Sequence, residues 1–312
     1  MADYPRVISA TAPPTIANLA VGFDILGLAV KGNGDIVKVS KGERAGVNIV
    51  RIEGDEGRLS RSADKNTATA GIASMLQDLG RSDSLSIELE KRMPLGSGMG
   101  SSASSAAAGV LAVNEFFGRP FRKEELVKYA LIGESVASGS VHGDNVVPCL
   151  LGGLILMRRN EASDVIRLPF IDELVVLLIH PHVEVMTAQS RGRLRSEVKM
   201  REHILQSSDT ASFIHAMHTG DRKLLRRCMN DHIIAPQRKA DIPLFNEVRE
   251  VVLKKGAYNY DISGSGPSSF AFFDDETSAK KALEDVKSVF ANEGIACDIE
   301  ITQVDNQGAR IL

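Results

Sequence analysis

Several short segments in the N-terminal part of the chain alternate apolar and polar residues with period two, the pattern of a half-buried β-strand. The clearest is SLSIELEKR, in which Leu85, Ile87 and Leu89 are separated by polar residues. Similar segments, bounded by turns that contain Gly, Asn or Asp, are RVISATAP, GFDILGLAV, DIVKVSK and VNIVRIE. The first part of the chain therefore predicts a sheet.

Other segments repeat their apolar residues with the period of an α-helix. NTATAGIASMLQDLG predicts a helix that stops at Gly80, KEELVKYALIGESVASG predicts another, and SVHGDNVVP after it predicts a loop. Small and apolar residues from Ser101 to Phe117 share one helical face. Near the C-terminus, SAKKALEDVKSVFANEG has an apolar stripe made of Ala279, Ala282, Leu283, Val286, Val289 and Phe290. ELVVLLIHP and CDIEITQV predict strands in the second half, so strand and helix patterns occur in both halves, which predicts the α+β class.

The composition is that of an ordinary soluble globular protein. The chain has 312 residues, 43% hydrophobic and 25% charged, a length that favours two domains. Its net charge of -3 gives no electrostatic reason to bind nucleic acid or an anionic membrane. The start MADYPRVISATAPP lacks the features of a signal peptide and the apolar runs are too short to span a bilayer, so we expect a cytoplasmic protein. Cys149, Cys228 and Cys297 fit reduced thiols.

The stretch PLGSGMGSSASSAAAGV, residues 94–110, has no bulky side chain between Met99 and Val110. A Walker A loop would need a lysine after its last glycine, and a dinucleotide-binding turn would need the spacing G-x-G-x-x-G, so neither motif is present. Two interpretations remain: a tight turn between strand and helix, and a glycine loop whose N–H groups hold phosphates at a helix N-terminus. The hydroxyls of Ser101, Ser102 and Ser104 add donors for phosphate or ligands for magnesium.

Four motifs between Pro13 and Phe273 carry a resemblance to a known family. PLGSGMGSSA matches the pattern P-x-x-x-G-L-G-S-S-A with Met99 in place of Leu. PPTIANLAVGFDILGLAV, GSVHGDNVVP and DISGSGPSSF are similar to P-A-T-S-A-N-L-G-x-G-F-D-x-L-G-L, H-x-D-N-V-A-P and I-S-G-A/S-G-P. On these motifs the chain resembles the GHMP kinase superfamily, and within it the branch that phosphorylates homoserine. Pro14 and Ile16 depart from the first pattern, which has Ala and Ser there, so one small polar contact is missing.

The resemblance implies a fold and an activity. The implied fold is α+β with two domains, one over 1–165 like domain 2 of ribosomal protein S5 and a ferredoxin-like one over 166–312. The first would contain a left-handed βαβ crossover, which the usual right-handed rule would not suggest. The implied activity is phosphorylation of the side-chain hydroxyl of L-homoserine, a step toward threonine, with ATP and Mg²⁺ as cofactors. The sequence does not specify an oligomeric state, and a homodimer is compatible with it.

The resemblance also assigns the nucleotide and metal sites. Glu134 corresponds to the magnesium glutamate of the superfamily, with Ser101 or Ser102 as its partner, and these three residues form the expected catalytic group. Mg²⁺ needs only one or two protein oxygens besides phosphates and waters. Asn66 is expected at the adenine, although a role as helix N-cap explains it equally well. The expected phosphate loop consists of Pro94, Leu95, Gly96, Ser97, Gly98, Met99, Gly100, Ser101, Ser102, Ala103 and Ser104.

Homoserine is a zwitterion, so its site needs an anion for the ammonium group and a cation for the carboxylate. Asp24 lies in the otherwise apolar VGFDILGL and is costly to bury without a cationic partner, which an ammonium group would supply. Arginines suit the carboxylate, and Arg193 and Arg195 are alternatives to Arg191 for this role. The substrate contacts that the resemblance implies are Asn18, Asp24, His142, Arg191 and Arg238.

Alternatives remain open on the sequence alone. One is another GHMP kinase that acts on mevalonate, shikimate or a sugar, although a mevalonate site would favour a lysine in the first motif. The other is a non-catalytic ligand sensor on the same fold, against which Glu134 and the motif serines argue.

Phosphoryl transfer needs mainly positioning and charge neutralisation, so we expect magnesium, the helix N-terminus and the glycines to carry catalysis. The alternative is catalysis with a general base, and Asp144 is the candidate for that role.

Overall fold

The computed structural model describes residues 7–138, 143–159, 164–185 and 187–312. Within these ranges the strands are β1 (Val7–Thr11), β2 (Thr15–Ala17), β3 (Leu26–Ala29), β4 (Ile36–Lys41), β5 (Val47–Glu53), β6 (Leu85–Glu90), β7 (Leu154–Met157), β8 (Val165–Leu168), β9 (Val175–Pro181), β10 (Asp261–Ile262), β11 (Ser269–Phe273), β12 (Cys297–Thr302) and β13 (Arg310–Ile311). The α-helices in the same ranges are α1 (Ala70–Asp78), α2 (Ser101–Phe116), α3 (Val127–Ser138), α4 (Gly143–Leu151), α5 (Thr187–Gly192), α6 (Met200–Thr219), α7 (Arg222–Cys228), α8 (Ala235–Arg238), α9 (Phe245–Lys254) and α10 (Glu276–Asn292), and two short 3-10 helices span Lys123–Leu126 and Lys239–Asp241.

The first sheet has the strand order β13-β1-β4-β6-β5. Neighbouring strands are antiparallel except β5 and β6, which are parallel and are connected through α1. β6 has the predicted alternation, since Leu85, Ile87 and Leu89 are buried and the residues between them are partly exposed. Helix α2 packs against β1 and β4, and helices α1 to α4 share with this sheet one core that includes Val37 and Ala107. This layer carries the glycine stretch, which connects β6 to α2.

The second sheet is antiparallel and has the order β10-β11-β9-β12. Helices α9 and α10 cover one of its faces, and the predicted stripe of α10 is buried there at Ala279, Ala282, Val286 and Phe290. A third sheet, β2-β3-β7-β8, shares a separate apolar core with α6, α7 and β11, and Phe213 of α6 is fully buried in it. Sheets and helices in separate layers of this kind are the predicted α+β class.

Residues 310–311 return to the first sheet. β13 pairs with β1, where Ala10 lies opposite Ile311, and an isolated bridge joins Val30 to Val304. The division into domains over 1–165 and 166–312 stays a prediction.

Two local predictions are wrong. GFDILGLAV is extended only in β3, because Asn18 and Asp24 have positive φ angles of 71° and 61° and the chain before Leu26 makes a left-handed turn. The described part of SVHGDNVVP is not a loop but the start of α4, although Pro148 lies inside that helix. The apolar residues of α4 are buried against α2 and β3. This tertiary packing stabilises the helix by more than it loses through the backbone hydrogen bond that proline cannot donate.

Candidate active site

The glycine stretch lines a cavity of about 480 Å³. Gly96, Gly98 and Gly100 have φ angles of 66°, 77° and 75°, in the left-handed region that favours glycine. Within the described residues, the N–H groups of these glycines donate no hydrogen bond to other protein atoms. Because α2 begins at Ser101, these donors stand at a helix N-terminus, where the backbone attracts anions. The arrangement has the chemistry of a phosphate-binding loop.

The same glycines allow distant segments to approach the loop closely. A Cβ atom on Gly98 would lie 2.6 Å from the Ser263 carbonyl oxygen and 2.7 Å from that of Gly266. Ser263 Oγ also donates to the Gly98 carbonyl over 2.7 Å. A Cβ atom on Gly100 would overlap Thr15 Oγ1. The loop is therefore held between β2 and the turn that follows β10.

A buried ion pair that the sequence did not reveal lies beneath the start of α2. The Lys91 ammonium group contacts the Asp35 carboxylate, and the two side chains are only 2% and 0% exposed. Lys91 also donates to the carbonyl and hydroxyl oxygens of Ser101, at 2.9 and 2.7 Å, and to Ser105 Oγ at 3.1 Å. Asp35 accepts two backbone N–H groups just after β6, at 3.0 and 3.2 Å. This network fixes the first turn of α2 to the end of β6.

Carboxylate and hydroxyl oxygens collect beside the start of α2. Ser102 Oγ donates to Glu134 Oε1 over 3.1 Å, and Ser101 and Asp144 line the same cavity. Burial raises the pKa of Glu134 to about 7, and burial together with nearby Asp24 raises the pKa of Asp144 to about 7. Asp144 Oδ1 is buried and has no hydrogen-bond partner among the described residues. Oxygens of these types are the ligands that Mg²⁺ prefers.

The first motif and α5 supply a charged pair to the cavity. Arg191 forms a two-bond ion pair with Asp24, with Nη to Oδ distances of 3.0 and 2.7 Å. Asn18 Oδ1 accepts the N–H of Asp24 over 3.1 Å, and the Asn18 amide donates to the Gly264 carbonyl over 3.0 Å. The structure thus brings these predicted residues together. The charged groups of Asp24 and Arg191, however, bind each other rather than standing as separate anchors.

Arg238 is a second guanidinium group at the same place. It is 3% exposed, and its Nη1 donates to the Gly264 carbonyl over 3.0 Å. The Cζ atoms of Arg191 and Arg238 lie 5.4 and 5.3 Å from the centre of the Phe23 ring. Burial lowers the pKa of Arg238, and the like charge of Arg191 lowers it further. Two guanidinium groups therefore lie beside one carboxylate, Asp24, which forms an ion pair with Arg191 alone, and this excess of positive charge favours binding of a further carboxylate.

Most of the residues assigned from the sequence line this cavity. Those that do are Asn18, Asp24, Leu95, Gly96, Ser97, Gly98, Gly100, Ser101, Ser102, Glu134, Arg191 and Arg238. The two alternatives to Arg191 are not among the lining residues: Arg193 pairs with Asp241, and Arg195 pairs with Glu202 at 3.0 Å. His142 lies outside the described residues.

Other assigned residues lie near the cavity without lining it. They are Asn66, Pro94, Met99, Ala103 and Ser104. The Asn66 amide donates to the Ser60 carbonyl over 2.7 Å and accepts the Ala68 N–H over 3.0 Å, which shapes the turn before α1. Ser104 Oγ donates to the Ala12 carbonyl over 2.6 Å. Met99 and Ala103 are buried in the cores, and Pro94 is exposed.

Phe23 and Asn145 line the cavity and lie in two of the quoted motifs, but they had no assigned role. The sequence did not single out six further lining residues: Arg58, Leu59, Thr67, Lys91, Glu184 and Val185. Arg58 and Glu184, which form an ion pair, come from loops after β5 and β9 that carry no motif. Thr67 and Lys91 each lie within a few positions of an assigned residue, and that proximity is the signal that could have found them.

Comparison with known proteins gives a consistent answer. The chain matches the family models "GHMP kinases N terminal domain" over residues 66–153 and "GHMP kinases C terminal" over residues 213–292. It is 38% identical to homoserine kinases of Chlorobium phaeobacteroides and Chloroherpeton thalassium, over 98% of this chain and 100% of each relative. It is also similar to the crystal structure of homoserine kinase from Cytophaga hutchinsonii, with a TM-score of 0.96, 39% identity, and coverage of 100% of this chain and 99% of the other. Sequence motifs, fold and similarities agree, and the chain belongs to the homoserine kinases of the GHMP kinase superfamily.

Proposed function

We propose that the protein transfers the γ-phosphoryl group of ATP to the side-chain hydroxyl of L-homoserine, giving ADP and O-phospho-L-homoserine. The observation that carries this proposal is the composition of one cavity, in which glycine N–H groups at a helix N-terminus share the space with Asp24, Arg191 and Arg238. The glycine loop suits a polyphosphate, and the charged residues suit a small zwitterion. The relatives are named homoserine kinase, which supports homoserine as the substrate that is phosphorylated.

The phosphates bind along the glycine loop. The N–H groups of Gly96, Gly98 and Gly100 donate to phosphate oxygens, and the dipole of α2 favours their negative charge. Apolar atoms of Leu59 and Val185, which line the same cavity, offer a surface for the adenine. The contact of Asn66 with the adenine stays a prediction.

Mg²⁺ fits the oxygens of Glu134, Ser101 and Ser102. Burial raises the pKa of Glu134 to about 7, so a cation beside it would offset the cost of its negative charge. When bound there, Mg²⁺ neutralises the charge that develops on the transferred phosphoryl group.

Homoserine binds at the charged pair. Asp24 pairs with Arg191 through both of its carboxylate oxygens, and the ammonium group of the substrate binds the same negatively charged group. The carboxylate of the substrate binds Arg191 and Arg238, and the Nε atom of Arg238 has no hydrogen-bond partner among the described residues. Asn18 fixes the turn that carries Asp24. The contact of His142 with the substrate stays a prediction.

In the reaction, the hydroxyl oxygen of homoserine attacks the γ-phosphorus and the bond from that phosphorus to the bridging oxygen of ADP breaks. The transition state is loose, so the protein contributes mainly by aligning the two substrates and neutralising charge. The hydroxyl proton leaves late. Asp144 is the candidate acceptor, because its pKa, raised to about 7 by burial, matches proton transfer near neutral pH.

A coupled assay of ADP release tests the proposal. We expect turnover with ATP, Mg²⁺ and L-homoserine, and none when mevalonate, shikimate or a sugar replaces the amino acid. Turnover with one of those alcohols instead would assign the protein to another GHMP kinase activity. No turnover with any of them would refute catalysis and support a ligand sensor.

The location of the protein and its state of assembly are separate questions from its activity. Among the described residues, no helix combines the length and apolar character needed to cross a membrane. A cytoplasmic location and a homodimer stay predictions.

A further inference from the structure

The position of Arg238 depends on a carboxylate that lies outside the cavity. Asp231 Oδ1 accepts the N–H groups of Ile233 and Ile234, at 2.9 and 2.7 Å. Its Oδ2 accepts the N–H of Ala235, the first residue of α8, at 2.9 Å. Asp231 is not among the residues that line the cavity. The segment that ends in Arg238 is therefore folded around this one carboxylate.

The same segment is tied to the turn that carries the other substrate anchor. The N–H of His232 donates to Gln206 Oε1 over 2.9 Å, and Gln206 Nε2 donates to the Ala20 carbonyl over 3.2 Å. Ala20 belongs to the left-handed turn that leads to Asp24. The two parts of the charged site are thus held relative to each other by contacts that no substrate atom would touch.

We infer that Asp231 is a positioning residue for the carboxylate of the substrate, because it holds α8 in the conformation that directs Arg238 into the cavity. This inference rests on the proposed function. An isolated helix of four residues has no stability of its own. Three backbone N–H groups donate to this one carboxyl group, so its hydrogen bonds can set the conformation of such a short helix.

Asp231→Ala removes these acceptors, and steady-state kinetics with homoserine and ATP measures the result. We expect the KM for homoserine to rise about tenfold or more, the effect of weakening one charge-assisted bond to the substrate. The KM for ATP should change by less than about twofold, because α8 does not contribute to the glycine loop. Asp231→Asn keeps one acceptor oxygen and should recover part of the loss.

Asp221→Ala is a matched control. Asp221 caps α7 by accepting the N–H of Leu224 over 2.9 Å, and no described residue of α7 lines the cavity. This control loses an aspartate cap in the same part of the fold, so both KM values should stay unchanged while the melting temperature reports any general loss of stability.

A double-mutant cycle with Arg238→Ala decides whether Asp231 acts through Arg238. In the Arg238→Ala background, Asp231→Ala should add less than about a twofold change to the KM for homoserine. An undiminished effect in that background, or an equal rise of both KM values in Asp231→Ala alone, would overturn the inference. The wild-type protein is assayed alongside: if it fails to phosphorylate homoserine, the proposed function fails, whereas normal wild-type turnover with an unaffected Asp231→Ala refutes only the positioning role.

Discussion

Replacing Lys91 with methionine would leave the Asp35 carboxylate buried beneath α2 without its cation. Removing one member of a buried ion pair costs about 3–5 kcal/mol. Asp35 would keep its two backbone N–H bonds and its bond from Ser105 Oγ, so we expect the lower end of that range, about 3 kcal/mol. At roughly 2–4 °C per kcal/mol, the melting temperature should fall by about 6–12 °C.

Thermal unfolding followed by circular dichroism measures this loss. Lys254→Met is the control, because it breaks an ion pair with Glu250 whose side chains are 71% and 67% exposed, and such pairs contribute about 0.5 kcal/mol or less. The double variant Asp35→Asn/Lys91→Met removes both charges and should recover most of the stability. The reasoning is refuted if Lys91→Met melts like the wild type, or if the double variant is less stable than Lys91→Met.

Three further predictions concern the cavity. Asp24→Asn should raise the KM for homoserine about 10- to 100-fold and that for ATP much less, because it removes the charge that binds the ammonium group; equal rises in the ADP-release assay would contradict this role. Gly98→Ala should lower the melting temperature and ATP affinity together, since its Cβ atom would lie 2.6 Å from a carbonyl oxygen. Gly46→Ala has the same φ of 77° but open space around it, so it should cost only about 1–2 kcal/mol of backbone strain, and similar losses in the two variants would show that packing is irrelevant at Gly98. Burial raises the pKa of Asp144 to about 7, so the folded protein retains a proton that the unfolded chain loses near pH 4, and stability should fall as the pH rises from about 4 to about 7. Asp144→Asn should remove about 3 kcal/mol of that fall between about pH 5 and about pH 8, and identical pH dependence of urea unfolding in the two proteins would disprove the assignment.

Strands and helices whose apolar pattern lies within one segment are predicted correctly from the sequence. β6 and α10 each bury one set of side chains against one core, so the apolar period alone identifies them. α4 is not predicted, because Pro148 argues locally against a helix, and the burial that outweighs it exists only in the tertiary structure. The turn from Asn18 to Asp24 is missed for a similar reason, since its positive φ angles occur at residues other than glycine.

The candidate site, too, is predicted only in part from the sequence. The resemblance to the GHMP kinases identifies the glycine loop, Glu134 and the charged residues, and most of them line one cavity. The Asp35 and Lys91 pair spans 56 positions and the Asp24 and Arg191 pair spans 167, so no periodic pattern connects their members. Such pairs form because segments that are distant in the sequence meet in the tertiary structure, and no short stretch of sequence shows which segments will meet.

The pairing of β1 with β13 constrains how the protein can fold during synthesis. β1 leaves the ribosome long before residues 310–311, which form one of its two neighbouring strands. Until those residues emerge, one edge of β1 remains open, and exposed strand edges favour association between nascent chains. The first sheet is therefore completed only after residues 310–311 have been translated, so β1 waits for a partner that is synthesised after both of the other sheets.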